Sequence, residues 1–305
     1  MSPKPDRSAT IGVFQAIAGY GWWGFVTALY YHWLIGPNPL DLVSWRAITA
    51  LPVVFVLVVA SKSIPELLDT IKDWAKLKWL LLSSILILVN WFVFIIAVVN
   101  EQLLDASLGY YMNPLVSVAL GALILKERLR SLQWVAVGFA FLGVAWLIIM
   151  LGSLSWIALA LGISFPLYGL IRKKCPSSAV VGLTVEMMFL TPLLTCISIV
   201  LLARGESALQ TGTTLQVLIL PLSGLVTVVP LAFFSAAARR LRLSTVGMLQ
   251  YIAPTGQFLT AFLIFREEVN QELWVAFACV WMGIIIYSWE SSRRQRVETT
   301  VSDIG

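Results

Sequence analysis

A single offset of 140 residues lays the second half of this chain on the first. Pro52 answers Pro192, Tyr111 answers Tyr251, Pro114 answers Pro254 and Glu127 answers Glu267. Trp134-Val135-Ala136 answers Trp274-Val275-Ala276, and Gly143 answers Gly283. Matches among leucines would mean little in so apolar a chain. A shared, ungapped offset for Pro, Tyr, Glu, Trp and Gly is hard to obtain by chance. In the first segment the match shifts to Trp23-Gly24 against Tyr168-Gly169, and the loop Gly36-Pro37-Asn38-Pro39 can absorb the difference.

What the two copies fold into follows from composition. The 305 residues are 59% hydrophobic and 12% charged, against about 45–50% and about 25% in soluble domains. The apolar residues fall in ten blocks long enough to cross about 30 Å of hydrocarbon: 10–32, 42–61, 78–99, 103–125, 132–150, 154–172, 179–203, 215–238, 244–265 and 272–289. Lipid offers no partner to an open backbone group, so each block is expected to be helical. The expected fold is an all-α integral membrane protein of ten transmembrane helices. Repeat one covers 10–150, repeat two covers 154–290, and 291–305 is a polar tail read as disordered. An odd number of spans per copy makes the copies point in opposite directions. Inverted repeats of this kind build secondary transporters.

Lys and Arg set the orientation. With the N-terminus inside, the inner segments hold Lys4, Arg7, Lys62, Lys72, Lys76, Lys78, Lys126, Arg128, Arg130, Arg172, Lys173, Lys174, Arg239, Arg240, Arg242, Arg293, Arg294 and Arg296. Only Arg204 and Arg266 lie outside, and Arg46 falls within a span. The positive-inside rule therefore puts both termini in the cytoplasm. The net charge of +5 reflects this topology, so nucleic acid is not an expected partner. The polar stretch Met1–Thr10 and the lack of a small-residue cleavage site point to an uncleaved first helix. Three dispersed cysteines and one histidine, His32, supply no disulfide framework, metal site or hydrolytic triad, and no cofactor is implied. The longest inner segment, 61–78, has Ser63 and Glu66 at capping-box spacing. Ile64, Leu67, Leu68, Ile71 and Trp74 share one helical face there, as in a short helix lying on the inner leaflet.

Polar groups within hydrocarbon are costly and tend to face a cavity or another helix. Pro114 and Pro254 sit at the centres of spans four and nine, where each removes a backbone donor and should break or kink its helix. Pro230 in span eight, which answers Asn90 in span three, is a third expected helix break. The residues expected to line a substrate path near the midplane are Tyr20, Trp23, Asn90, Trp91, Tyr111, Asn113, Tyr168, Gln250, Tyr251 and Gln257. Each has a plainer reading, since a membrane Asn or Gln often only bonds a neighbouring helix. Gly138, Gly143 and Gly283 permit close helix approach without forming a GxxxG motif. Two charges lie well inside spans, Arg46 and Glu186, and they too are 140 apart. At 1.5 Å per residue each lies roughly 7 Å from the midplane, on opposite sides. The gap, on the order of 15 Å, exceeds the ~4 Å of an ion pair. They are expected to form separate half-sites, Arg46 for an anionic group and Glu186 for a proton or cation.

The most specific strings are Asp105–Leu115 (DASLGYYMNPL), Tyr168–Lys174 (YGLIRKK) and Arg240–Pro254 (RLRLSTVGMLQYIAP), with Asn90-Trp91 and Asn100 beside them. On these the chain resembles the EamA family of the drug/metabolite transporter superfamily, and within it the RarD branch. The resemblance runs over nearly all of 10–290. It implies a ten-helix carrier of small organic metabolites or drug-like compounds in a bacterial inner membrane, with lipids and a small-molecule substrate as partners. It carries over no catalytic motif. No Walker sequence is present, so energy must come from an ion gradient or from exchange. A membrane enzyme would need clustered His, Asp or Glu, and a lipid scramblase a polar groove open to lipid. These are the competing readings. Oligomeric state is open.

Overall fold

A computed structural model of the chain describes residues 7–266 and 271–302, and among these there is no strand. Helix α1 covers 7–32, with its middle wound as a π-helix over Trp22–Thr27. It is followed by α2 (Pro39–Ala60), the short α3 (Ile64–Lys72), α4 (Trp74–Val99), α5 (Leu103–Leu123) and α6 (Ser131–Leu151). The second half holds α7 (Trp156–Lys174), α8 (Ala179–Ala203), α9 (Thr214–Arg240, with a 3-10 turn at Leu220–Leu222), α10 and α11 (Gln271–Ser302). Helix α10 comes in pieces: Leu243–Gln250, Ile252–Leu259 and a π-turn at Thr260–Ile264.

Local sequence places the starts. Asn38 caps α2 by accepting from the Leu40 amide at 3.0 Å, with Pro39 in the first turn. Ser155 and Ser178 cap α7 and α8 by accepting from Ala158 N (3.2 Å) and Val181 N (3.3 Å). Five of the described helices are long and apolar enough to cross a membrane: Pro39–Ala60, Trp74–Val99, Ser131–Met150, Ala179–Ala203 and Thr214–Arg240. The other expected spans are helical but interrupted or more polar. Helix α1 carries the π-turn, α5 includes Asp105 and Asn113, α7 ends in Arg172-Lys173-Lys174, α10 is broken, and α11 is apolar over Trp274–Glu290.

Helix packing repeats the offset in space. Helix α2 packs on α8, α5 on α10 and α6 on α11. The contact of α1 with α9 is matched by that of α7 with α4, and the contact of α5 with α7 by that of α10 with α1. A methyl added to Gly143 would meet Ala276 O at 2.9 Å, and one added to Gly283 would meet Ala136 O at 2.6 Å. Both the glycines and the alanines are 140 apart. Lys126 and Arg266, related the same way, both adopt positive φ, 54° and 55°. Tyr251 donates its hydroxyl to the carbonyl of its own counterpart, Tyr111, at 3.2 Å. Glu267 lies outside the described residues.

Several expectations are corrected. Pro114 and Pro230 sit inside uninterrupted helical segments, Leu103–Leu123 and Ser223–Arg240. Only α10 opens, at Tyr251, three residues before Pro254. Pro52, Pro166 and Pro192 lie inside continuous helices in the same way, as membrane helices tolerate proline. The capping box at Ser63 does not form. Glu66 instead accepts from the Ser178 amide at 2.6 Å, tying α3 to the start of α8. Trp74 does not share the face of α3, because Asp73 is extended and caps α4 through Ala75 N at 2.8 Å. The tail is helical to Ser302, in keeping with the helix preference of its Arg, Gln and Glu residues.

Candidate functional site

Among the described residues the core forms four clusters, two of them large. One cluster gathers Tyr20, Trp91, Phe165, Tyr168 and Phe234 from α1, α4, α7 and α9, with Trp23 packed against it. The rings of Trp23, Phe165, Tyr168 and Phe234 lie 5.0–6.1 Å apart in successive pairs. Tyr20 donates to Val246 O at 3.1 Å. The other cluster joins α5, α6, α10 and α11, and it holds Tyr111 and Tyr251. Tyr111 packs edge-on against Phe277 at 5.6 Å. Both tyrosines are buried in this cluster, and Gln257 is exposed on α10. Between the clusters, Asn90 donates to Ser164 Oγ at 3.0 Å. Asn113, with its amide nitrogen toward α7, donates to Leu161 O (3.0 Å) and Gly162 O (3.3 Å) and accepts from Gln250 at 3.2 Å. Asn90, Asn113 and Gln250 thus bond helix to helix.

On the side where α7 ends and α8 begins, Glu186 is fully buried within a built cluster. Ser83 Oγ donates to its Oε1 at 2.5 Å, Tyr168 OH donates to Oε2 at 3.1 Å, and Arg172 Nη1 lies 3.5 Å from Oε1. Arg172 also donates to Ala179 O (3.0 Å) and to Ser235 Oγ (3.4 Å). Both charged side chains are 1% exposed. A buried charge stands only when paired and hydrogen-bonded, and Glu186 meets both conditions. Arg172 was grouped with Lys173 and Lys174 as a cation of the inner segment; the structure moves it into the core. The signal was present in the spacing. Residues 165, 168 and 172 share one face of a helix, so Arg172 follows the buried Phe165 and Tyr168 inward. Lys173 turns instead to the carbonyls of Ala238 and Leu241. Gly182, one turn before Glu186, makes the room: a methyl there would lie 1.8 Å from Arg172 Nη1.

Arg46 stands in a different environment. Its Nε donates to Thr227 Oγ1 at 3.1 Å, and its Cζ lies 4.6 Å from the Trp91 ring centroid and 5.5 Å from that of Tyr31. Among the described residues no carboxylate is within ion-pair distance of it. It is partly exposed, as are Trp22, Trp23, Thr27 and Tyr31 on the neighbouring stretch of α1. Arg46 and Glu186 do not bond each other; each has its own partners. Near the loop ends on the Arg46 side, Asp41 is fully buried and accepts from Ser198 Oγ (2.6 Å), Ser207 Oγ (2.8 Å) and Ala208 N (2.6 Å). No group of His, Cys, Asp and Glu suited to a metal occurs among the described residues.

Sequence comparison places these features. The chain is 39% identical to Protein RarD of Escherichia coli K12 over 301 residues, 97% of this chain and 99% of that one. It belongs to the EamA family, in the RarD branch. The model of the EamA-like transporter family matches residues 10–149. The chloramphenicol-sensitive protein RarD of Pseudomonas aeruginosa PAO1 is 32% identical over 280 residues, covering 89% of this chain and 92% of its own. The uncharacterized transporter YojE of Bacillus subtilis 168 is 36% identical, covering 93% and 96%. A solved crystal structure at 18% identity superposes with a TM-score of 0.70 over 94% of this chain and 99% of its own, a likeness of fold. With its apolar helices, this RarD-branch chain is a multi-pass membrane protein of a transporter family.

Proposed function

We propose that the protein is a secondary transporter moving small organic solutes by alternating access. In this reading two five-helix repeats, 10–150 and 154–290, stand in opposite orientation, and both termini face the cytoplasm of a bacterial cell. The paired glycine contacts and the paired packing of helices support the repeat.

The observation that carries the reading is the contrast between repeat-related positions. Arg46 is partly exposed and lacks a carboxylate partner, whereas Glu186, 140 residues on, is sealed by Arg172, Ser83 and Tyr168. Two equivalent sites in unequal surroundings are what a carrier open to one side presents. The Arg172–Glu186 cluster then acts as the closed barrier, and Glu186 is the candidate proton or cation carrier once the barrier parts.

Two measurements test this. In a background lacking the three native cysteines, Arg46→Cys is expected to react with a water-soluble thiol reagent added outside, while Ser235→Cys stays silent. Proteoliposomes loaded with a metabolite mixture should accumulate or release specific solutes. Equal reactivity at both positions would remove the one-sided opening. Absence of any flux from folded protein would remove the transporter reading.

A further inference from the structure

The Arg46 surroundings identify a class of ligand. The guanidinium lies close to the rings of Trp91 and Tyr31, and its Nε is taken by Thr227. That leaves the edge bearing its two terminal nitrogens without a protein acceptor among the described residues. This edge is the fork that matches the two oxygens of a carboxylate or phosphate. The hydroxyl of Tyr31, whose ring centroid lies 5.5 Å from Arg46 Cζ, is buried without a hydrogen-bond partner. Buried polar atoms are ordinarily satisfied, so it is a spare group beside Arg46.

We propose that the free edge of Arg46 is the subsite for the anionic head of the transported solute, and that the solute is a monocarboxylate. The inference rests on the transporter reading and deepens it by naming the substrate class. Charge selects the head group. Arg46 is the one cation in the span-buried part of this half, and the other two cations placed on this side, Arg204 and Arg266, lie beyond helix ends and are exposed. A carboxylate of charge −1 is neutralised by one arginine. A phosphate monoester near −2 would leave charge unpaired away from water.

The test uses the full-length protein in detergent and follows tryptophan fluorescence during titration. The probes are indole-3-acetate and phenylacetate, their neutral amides, and phenyl phosphate. Saturable binding of the acids is expected, with the amides and the phosphate weaker by tenfold or more. Arg46→Gln is expected to weaken the acids by about tenfold or more and to leave the amides unchanged. Arg46→Lys, which keeps the charge and loses the fork, should fall between, and gives the reading if Arg46→Gln does not fold. Amides binding as well as acids, no saturable binding of either acid, or wild-type affinity in Arg46→Gln would each overturn the proposal. Acid binding through Arg46 without flux in proteoliposomes would sink the transporter reading and leave the site standing. Flux of neutral solutes that survives Arg46→Gln would do the reverse.

Discussion

Replacing Gly182 by alanine tests the buried ion pair without touching either charge. The added methyl would lie 1.8 Å from Arg172 Nη1, whereas a comfortable contact is about 3.5 Å. The guanidinium must therefore retreat by roughly 1.5–2 Å. That breaks its 3.0 Å bond to Ala179 O and its 3.5 Å approach to Glu186. A hydrogen bond to a charged group contributes about 1.5–3 kcal/mol. Full removal of one partner of a buried pair costs about 3–5 kcal/mol. Ser83 and Tyr168 still donate to Glu186, so the loss should lie near the low end, about 3 kcal/mol. Alanine returns about 1 kcal/mol of helix propensity. The net expectation is a loss of about 2 kcal/mol, up to roughly thirtyfold in the unfolding constant. Unfolding in mixed micelles, followed by tryptophan fluorescence, measures it. The same substitution in an Arg172→Met, Glu186→Gln background should cost nothing or stabilise, so the double-mutant cycle isolates the clash. Gly182→Ala equal to wild type, or as harmful in the double-mutant background, would refute the placement of Arg172.

Two further predictions concern carboxylates that join helix ends. Asp41→Asn gives up an acceptor bonded to two hydroxyls and the Ala208 amide, and should lose about 2–3 kcal/mol in the same unfolding assay; an unchanged midpoint would refute the bonding. Glu127 accepts from Leu243 N (2.7 Å), Ser244 N (3.0 Å) and Ser244 Oγ (2.7 Å) at the start of α10. Glu127→Ala should cost about 1–2 kcal/mol as a lost cap and raise hydrogen exchange first at Leu243 and Ser244; uniform exchange along α10 would count against it.

The repeat was legible because its markers are residues that hydrophobicity alone does not select. Gly143, Gly283, Tyr111 and Tyr251 stand where the 140 offset required, each against its counterpart repeat. The inward face of each helix was less legible. In a membrane protein the lipid-facing stripe is as apolar as the packed stripe, so periodicity does not separate Tyr111, which packs in the seam, from Trp91, which stands beside Arg46. Arg172 was hidden by its neighbours, since a run of three cations at a helix end reads as a loop charge. Only its register with Tyr168 distinguishes it. The expectation that Arg46 and Glu186 stand apart rests on counting residues along two spans, and in the structure each has its own partners.

The contacts of Gly143 with Ala276 and of Gly283 with Ala136 bear on how the molecule can move. Backbones that meet with no room for a methyl cannot slide past one another without first separating. Two such contacts, seven residues apart on each helix, fix the register of α6 on α11.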